Sequence, residues 1–164
     1  SIKMKQILIG AIFFSLLISC SQPVTEKGPL EGTWERIGTI VYKKGAPSDT
    51  LKIQDGFFQT KLFTKSRTIW LSNSIDIDTL TGEDTNSGNG GYSRNYTVKD
   101  GVLTEYLSMG SDNIENWMKS SYKADENGNY PVSFKVDIKE NTYSQMWGLD
   151  SLGNGNAEYY KRVE

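Results

Sequence analysis

From position 30 onward, the chain alternates apolar and polar residues in short runs that are separated by glycine, asparagine and aspartate. A period of two predicts β-strands, and the runs are rich in the β-branched and aromatic residues that suit a pleated surface. Asp100-Gly101 is a hairpin signal between two such runs. The predicted strands are 34–42, 51–53, 57–64, 68–72, 92–98, 102–107, 130–138, 142–147 and 157–163.

Two segments depart from this pattern. Segment 73–91 is polar and rich in glycine and asparagine, which predicts one long mobile loop. Segment 112–121 places Ile114, Trp117 and Met118 on one helical face and predicts a short helix capped by Asp112. The whole pattern predicts one all-β domain, either a sandwich or a closed antiparallel barrel. About eight strands make a barrel with a filled core or room for one small ligand.

The first 30 residues have a different composition. An apolar run of 12 residues, 7–18, follows Lys3 and Lys5. A bilayer-spanning helix needs about 20 residues, so the run predicts a secretory signal and not a retained membrane helix. The aperiodic segment after it is typical of a flexible tether. We therefore expect a cleaved signal peptide at 1–19, a tether at 20–30 and one barrel domain at 31–164.

The segment Leu17-Ile18-Ser19-Cys20 resembles the lipobox of bacterial lipoproteins. That resemblance implies cleavage before Cys20 and attachment of acyl chains such as palmitate, so that the membrane is contacted through a covalent lipid in the bacterial cell envelope. The following Ser21-Gln22-Pro23-Val24 lacks the acidic run that resembles a surface-export signal, which favours the periplasmic face. Cys20 is also the only cysteine, so disulfides are excluded.

Composition narrows the chemistry of the domain. The absence of histidine removes the commonest general base and the commonest zinc ligand. Acidic pairs at 76/78, 83/84 and 125/126 fall in predicted loops, and the segment from Asp125 lacks the glycine and glutamate spacing of a calcium loop. We therefore expect no enzyme activity, no cofactor and no metal site. A net charge of −2 without basic clusters also excludes a nucleic-acid partner.

The segment Gly32-Thr33-Trp34 opens the first predicted strand with the Gly-x-Trp signature of lipocalins. More widely, the chain resembles lipocalin-like exported proteins of Gram-negative bacteria, which implies an up-and-down β-barrel of about 8–10 strands with an interior cavity. It also implies that Arg162, or Lys161, stacks on Trp34 and closes the barrel floor. The segments that support the resemblance, in order, are 30–34, 61–64 with Trp70, 90–92, 104–105, 143–145 and 158–163.

The resemblance makes binding of a small hydrophobic or amphipathic molecule the expected function. Arg67 or Arg94 would supply a polar anchor. Relatives often carry a histidine two or three residues before the strand tryptophan, where this chain has Arg67, and an arginine there would favour an anionic ligand. The alternative is a structural or interaction protein of the envelope with a filled barrel core, which a cavity below a few hundred Å³ would favour. The candidate cavity-wall residues are aromatic: Trp70, Tyr92, Tyr106, Phe134 and Trp147.

Three triplets, at 49–51, 78–80 and 150–152, join aspartate to Ser or Thr and then to leucine. They resemble acceptor sites for O-linked sugars on exported proteins of one Gram-negative phylum. Turns favour Asp-Ser and Asp-Thr for conformational reasons as well, so both interpretations stay open.

Overall fold

The computed structural model describes residues 28–77, 80–82 and 84–163. Cys20, the predicted signal and most of the predicted tether lie outside these residues. The described residues form nine strands and one helix. In chain order these are β1 (Gly32–Lys43), β2 (Ala46–Lys52), β3 (Phe57–Phe63), β4 (Thr68–Ile77), β5 (Asp84–Lys99), β6 (Val102–Gly110), α1 (Asp112–Ser121), β7 (Tyr130–Ile138), β8 (Thr142–Met146) and β9 (Gly155–Arg162).

The strands form a closed barrel. Each strand from β3 to β8 pairs antiparallel with the strand that follows it, and β9 pairs back onto β1. The first half of β1 pairs with β3 and its second half with β2, so eight strands close the barrel and β2 is an extra strand. The prediction of a single antiparallel barrel with one short helix is confirmed. Within the described ranges, no helix is long and apolar enough to cross a membrane.

Two-residue turns connect two of the hairpins. Lys44-Gly45 and Asp100-Gly101 each have positive φ at both residues, the conformation that matches the twist of the flanking strands. The Asp-Gly hairpin signal is confirmed. Because the chain reverses within two residues after β1, β2 begins at Ala46, earlier than the short strand predicted at 51–53.

The predicted loop at 73–91 is wrong. β4 continues to Ile77 and β5 begins at Asp84, so this segment is the paired end of a long hairpin, with Asn73 opposite Gly88. Ile75 and Ile77 alternate with polar residues in β4, but the facing part of β5, residues 84–91, has no apolar side chain, so backbone pairing holds it in place. A Cβ at Gly90 would lie 2.9 Å from the end of the exposed Leu71 side chain and 3.1 Å from the Trp70 carbonyl oxygen, so a side chain there would crowd β4. Asp76 and Asp84 consequently belong to strands and not to a loop.

An aromatic layer fills the end of the barrel where β1 begins, which we call the closed end. The rings of Trp34 and Tyr143 meet edge to face with centroids 4.9 Å apart, and Tyr143 stacks on Tyr160 at 4.6 Å. Phe63 contacts Tyr143 edge to face, and Leu103 is fully buried beside this layer. The lower part of the barrel is therefore solid core.

Arg162 covers this layer from outside. Its guanidinium carbon lies 4.1 Å from the centroid of the Trp34 ring, so the expected contact is made by Arg162 and not by the exposed Lys161. The guanidinium donates hydrogen bonds to the carbonyls of Glu31, Pro29 and Glu140. It thus ties the entering chain to the last strand, while the Trp34 indole N–H donates to the Leu30 carbonyl at 2.7 Å.

We expect Arg162→Met to lower the free energy of unfolding by about 3 kcal/mol, because a stacked cation and several charge-assisted hydrogen bonds are lost together. Lys161→Met is the matched control. The Lys161 side chain is next to Arg162 in sequence and is exposed, so this change should alter the free energy of unfolding by less than about 0.5 kcal/mol. Urea unfolding of both variants measures the difference. Equal losses would contradict a specific closing role for Arg162.

Candidate ligand-binding site

A cavity of about 220 Å³ lies between the aromatic layer and α1. β6 ends and β7 begins at the end opposite Trp34, so α1, which connects them, lies at the mouth of the barrel. The cavity has two kinds of wall. Apolar side chains come from Trp70, Leu107, Ile114, Trp117, Val132, Phe134 and Trp147, and polar side chains from Gln59, Lys61, Glu105, Gln145 and Glu158.

Glycines make room for two of the apolar walls. Trp70 is opposite Gly91 in the β4–β5 register, and a Cβ at Gly91 would overlap the indole ring. A Cβ at Gly110 would lie 2.6 Å from Ile114, so the helix packs directly on the end of β6. Both side chains therefore reach the cavity because the facing residue has no side chain.

The helix has the predicted range and face. Met118 is buried in the core, and Ile114 and Trp117 pack against it. The predicted cap is wrong: the residue before the helix is Ser111, and its hydroxyl bonds to the side chain of Asn89 instead of a helix N–H. The helix is therefore held to the barrel through β5 as well as through its apolar face.

Aromatic rings surround the mouth. Trp147, directly after β8, meets Phe134 edge to face at 4.6 Å and Trp117 at 5.5 Å. Trp147 is nevertheless 52% exposed, because it lies at the rim. The upper cavity is thus lined by indole and phenyl rings, one of which is open to solvent.

An ion pair lies at the bottom of the cavity. The Lys61 ammonium is 3.1 Å from a Glu105 carboxylate oxygen and donates to Gln145 Oε1 at 2.9 Å. The two charged side chains are only 3% and 2% exposed. Lys61 also lies 5.2 Å from the centroid of Phe134. A buried charge is tolerated when it is paired and hydrogen-bonded, and both conditions hold here.

The same network extends to a second ion pair. Gln145 Nε2 donates to Glu158 at 2.7 Å, and Glu158 pairs with Arg36 at 3.3 Å. The Tyr160 hydroxyl donates to Glu158 at 2.7 Å and accepts from Gln59, whose carbonyl oxygen accepts from Arg36. Two cations and two carboxylates balance, so the network has no net charge.

Burial raises the pKa of Tyr143 and Tyr160 well above the usual value near 10. The carboxylates of the network raise both further, Glu105 and Glu158 acting on Tyr143 and Glu158 acting on Tyr160. Both hydroxyls therefore stay protonated, and remain hydrogen-bond donors, at an alkaline pH where an exposed tyrosine would ionise.

The structure brings three of the predicted ligand residues together. Trp70, Phe134 and Trp147 line the cavity. Tyr92 and Tyr106 do not: Tyr92 is opposite the outward Ile69, and Tyr106 lies between the inward Glu105 and Leu107, so strand alternation turns both rings outward.

Neither predicted arginine anchor lines the cavity. Arg67 is exposed in the β3–β4 turn at the closed end, and Arg94 is exposed where the β5–β6 register shifts. The charged side chains that do line the cavity, Lys61, Glu105 and Glu158, were not predicted from the sequence. The alternation along β6 did contain a signal for Glu105. Residues 103, 105 and 107 lie on the same face of the strand, and because Leu103 and Leu107 point inward, Glu105 is expected to be a buried charge.

The acidic turns make bonds of their own. The Asn129 N–H, together with that of Asn127, holds the pKa of Asp125 below its usual value, and the Asn154 N–H does the same for Asp150. These carboxylates therefore stabilise tight turns. Among the described residues, no group of three Asp, Glu, His or Cys side chains is arranged to hold a metal ion.

We expect Lys61→Met to cost about 3–5 kcal/mol of stability, because it leaves the Glu105 carboxylate buried without its cation. The double variant Lys61→Met/Glu105→Leu should recover most of this loss, since no unpaired charge remains. Lys119→Met, which removes an exposed helix pair with Glu115, is the control and should cost less than about 0.5 kcal/mol. Denaturant unfolding measures the stability of each variant. A double variant as unstable as Lys61→Met alone would contradict the conclusion that the unpaired Glu105 charge causes the loss.

Alkaline pH should destabilise the fold. Unfolded tyrosines lose their protons near pH 10, whereas folded Tyr143 and Tyr160 keep theirs, so the unfolded state binds fewer protons and stability falls as the pH rises above about 10. Tyrosinate absorbance should show that fewer than the nine tyrosines ionise before unfolding. Tyr143→Phe should weaken the pH dependence. Ionisation of all nine in the folded protein is the contrary result.

Comparison with known proteins found no matching protein-family model, no matching curated protein and no matching solved structure.

Proposed function

We propose that this protein is a non-enzymatic binding protein that holds one small amphipathic molecule in the barrel. The observation that supports the proposal is the division of the cavity wall. Aromatic and aliphatic side chains surround the upper part, and a hydrogen-bonded polar network forms the bottom. Ligand sites in proteins combine mostly apolar walls with a few placed polar groups in this way.

The volume limits the size of the ligand. An apolar cavity of about 150 Å³ holds a benzene molecule, so about 220 Å³ corresponds to roughly nine non-hydrogen atoms. The aromatic layer below prevents a longer molecule from passing down the barrel axis. Long-chain lipids are therefore excluded as fully enclosed ligands, and compact molecules fit.

We further propose that a lipid on Cys20 anchors the protein in the bacterial envelope, on the periplasmic face. The lipobox-like segment supports this proposal. The seven residues between Cys20 and Gly28 reach at most about 25–30 Å. The described chain enters at the closed end, where Arg162 bonds to Pro29 and Glu31. The cavity mouth would consequently face away from the attachment point.

Sugar attachment at the three Asp-Ser/Thr-Leu triplets stays a prediction.

A second candidate function is an envelope interaction protein with a mostly filled core. The modest cavity volume favours it, and so does the outer surface of β3 to β6. There, Leu62, Ile69, Tyr92 and Met109 are opposite one another across four strands. Phe58 and Leu71 extend this exposed apolar row, and all except Tyr92 are at least 39% exposed. Such a surface is typical of protein contacts.

Ligand-detected NMR with a panel of compact phenyl and alkyl compounds tests the binding proposal. We expect binders in the millimolar to micromolar range for the wild type. Ile114→Trp, which fills the mouth, should abolish binding. Ile69→Trp makes the same change on the outer surface and should leave binding intact. If no compound binds the wild type, or if both variants behave alike, the interaction function replaces the binding function.

A further inference from the structure

The bottom of the cavity restricts the chemistry of the ligand, given the binding function proposed above. We propose that the site selects a molecule whose polar head is uncharged and donates a hydrogen bond to Glu105. Hydroxyl and carboxamide groups meet both conditions. Two properties of the network lead to this selectivity: most of its polar atoms already have partners, and its charges balance.

Most polar atoms of the network have partners within the protein. Gln59 donates to Tyr160 and accepts from Arg36. Gln145 accepts from Lys61 and donates to Glu158, and Glu158 accepts from Gln145, Tyr160 and Arg36. These groups have little hydrogen-bonding capacity left for a ligand.

Glu105 is different. Within the described part of the chain, its carboxylate accepts hydrogen bonds from Lys61 alone. An ionised carboxylate has about four acceptor sites, so acceptor capacity remains on a side chain that lines the cavity and is nearly inaccessible to solvent. A ligand that donates a hydrogen bond there satisfies a buried acceptor, whereas a purely apolar ligand covers it without a partner.

Charge balance excludes an ionised head. Lys61 neutralises Glu105 and Arg36 neutralises Glu158, so an added charge finds no free counter-charge. An ammonium at Glu105 would stand beside the Lys61 ammonium. A carboxylate could pair with Lys61 only by displacing Glu105 and leaving that charge buried and unpaired. Each charged head therefore brings a desolvation cost that the site does not offset.

The anionic ligand expected from Arg67 has no support in this geometry. Arg67 lies in the exposed turn at the closed end, whereas the cavity opens at the other end beside Trp117 and Trp147. The cation nearest to a bound molecule is Lys61, and it already has its carboxylate partner.

Five probes of similar shape separate the possibilities. 2-Phenylethanol and phenylacetamide have uncharged donor heads, 2-phenylethylammonium and phenylacetate have charged heads, and propylbenzene has no polar head. Affinities for the full chain are measured at neutral pH by ligand-detected NMR titration. We expect the alcohol and the amide to bind at least about tenfold more tightly than the other three.

The possible results separate a failure of the binding function from a failure of the proposed selectivity. If none of the five probes binds, the proposed binding function itself fails, and the inference fails with it. If the ammonium or the carboxylate binds as tightly as the alcohol, the binding function stands and the uncharged-head selectivity is wrong. If propylbenzene equals the alcohol, the hydrogen bond to Glu105 is wrong.

A paired-charge variant tests the role of Glu105 while avoiding an unpaired buried charge. Lys61→Met/Glu105→Leu makes this part of the bottom apolar, so the advantage of 2-phenylethanol over propylbenzene should disappear or reverse. Lys139→Met/Asp137→Leu removes an exposed ion pair and should keep the wild-type preference. If the first variant also keeps the alcohol preference, Glu105 is not the acceptor.

Discussion

A buried ion pair, Lys61 and Glu105, lies inside the barrel, and the polar side chains of the interior form one hydrogen-bonded network around it. A buried ion pair is tolerated only when its remaining atoms find partners. Gln145 accepts a hydrogen bond from Lys61 and donates one to Glu158, and the Tyr160 hydroxyl links Glu158 to the aromatic layer. The solid lower core and the open upper cavity therefore meet at one hydrogen-bonded level.

This arrangement gives the two ends of the barrel different roles. At the closed end, Trp34 and Arg162 join the first and last strands, and the chain enters there. At the other end, α1 and Trp147 surround an opening. A closed end that the chain enters and an open end with a cavity are compatible with the attachment and the binding proposed above.

Much of the fold was predictable, because alternation, turn residues and the helical face are local signals. The hairpin at 73–91 was not, since its second arm, residues 84–91, contains glycine, asparagine and other polar residues in place of an apolar pattern and is held by backbone pairing. The site was only partly predictable. Trp70, Phe134 and Trp147 are found by residue type, but Tyr92 and Tyr106 show that type without strand phase misleads. Glu105 and Lys61 are far apart in sequence, and only barrel closure brings them together.

If the cavity encloses a compact molecule whose uncharged head bonds to Glu105, a crystal structure of the full chain soaked with 2-phenylethanol will show that contact. We expect the phenyl ring among Trp70, Trp117 and Phe134, with the hydroxyl oxygen within about 3 Å of the Glu105 carboxylate. An empty cavity at saturating alcohol, or a hydroxyl that points to the mouth, would contradict it.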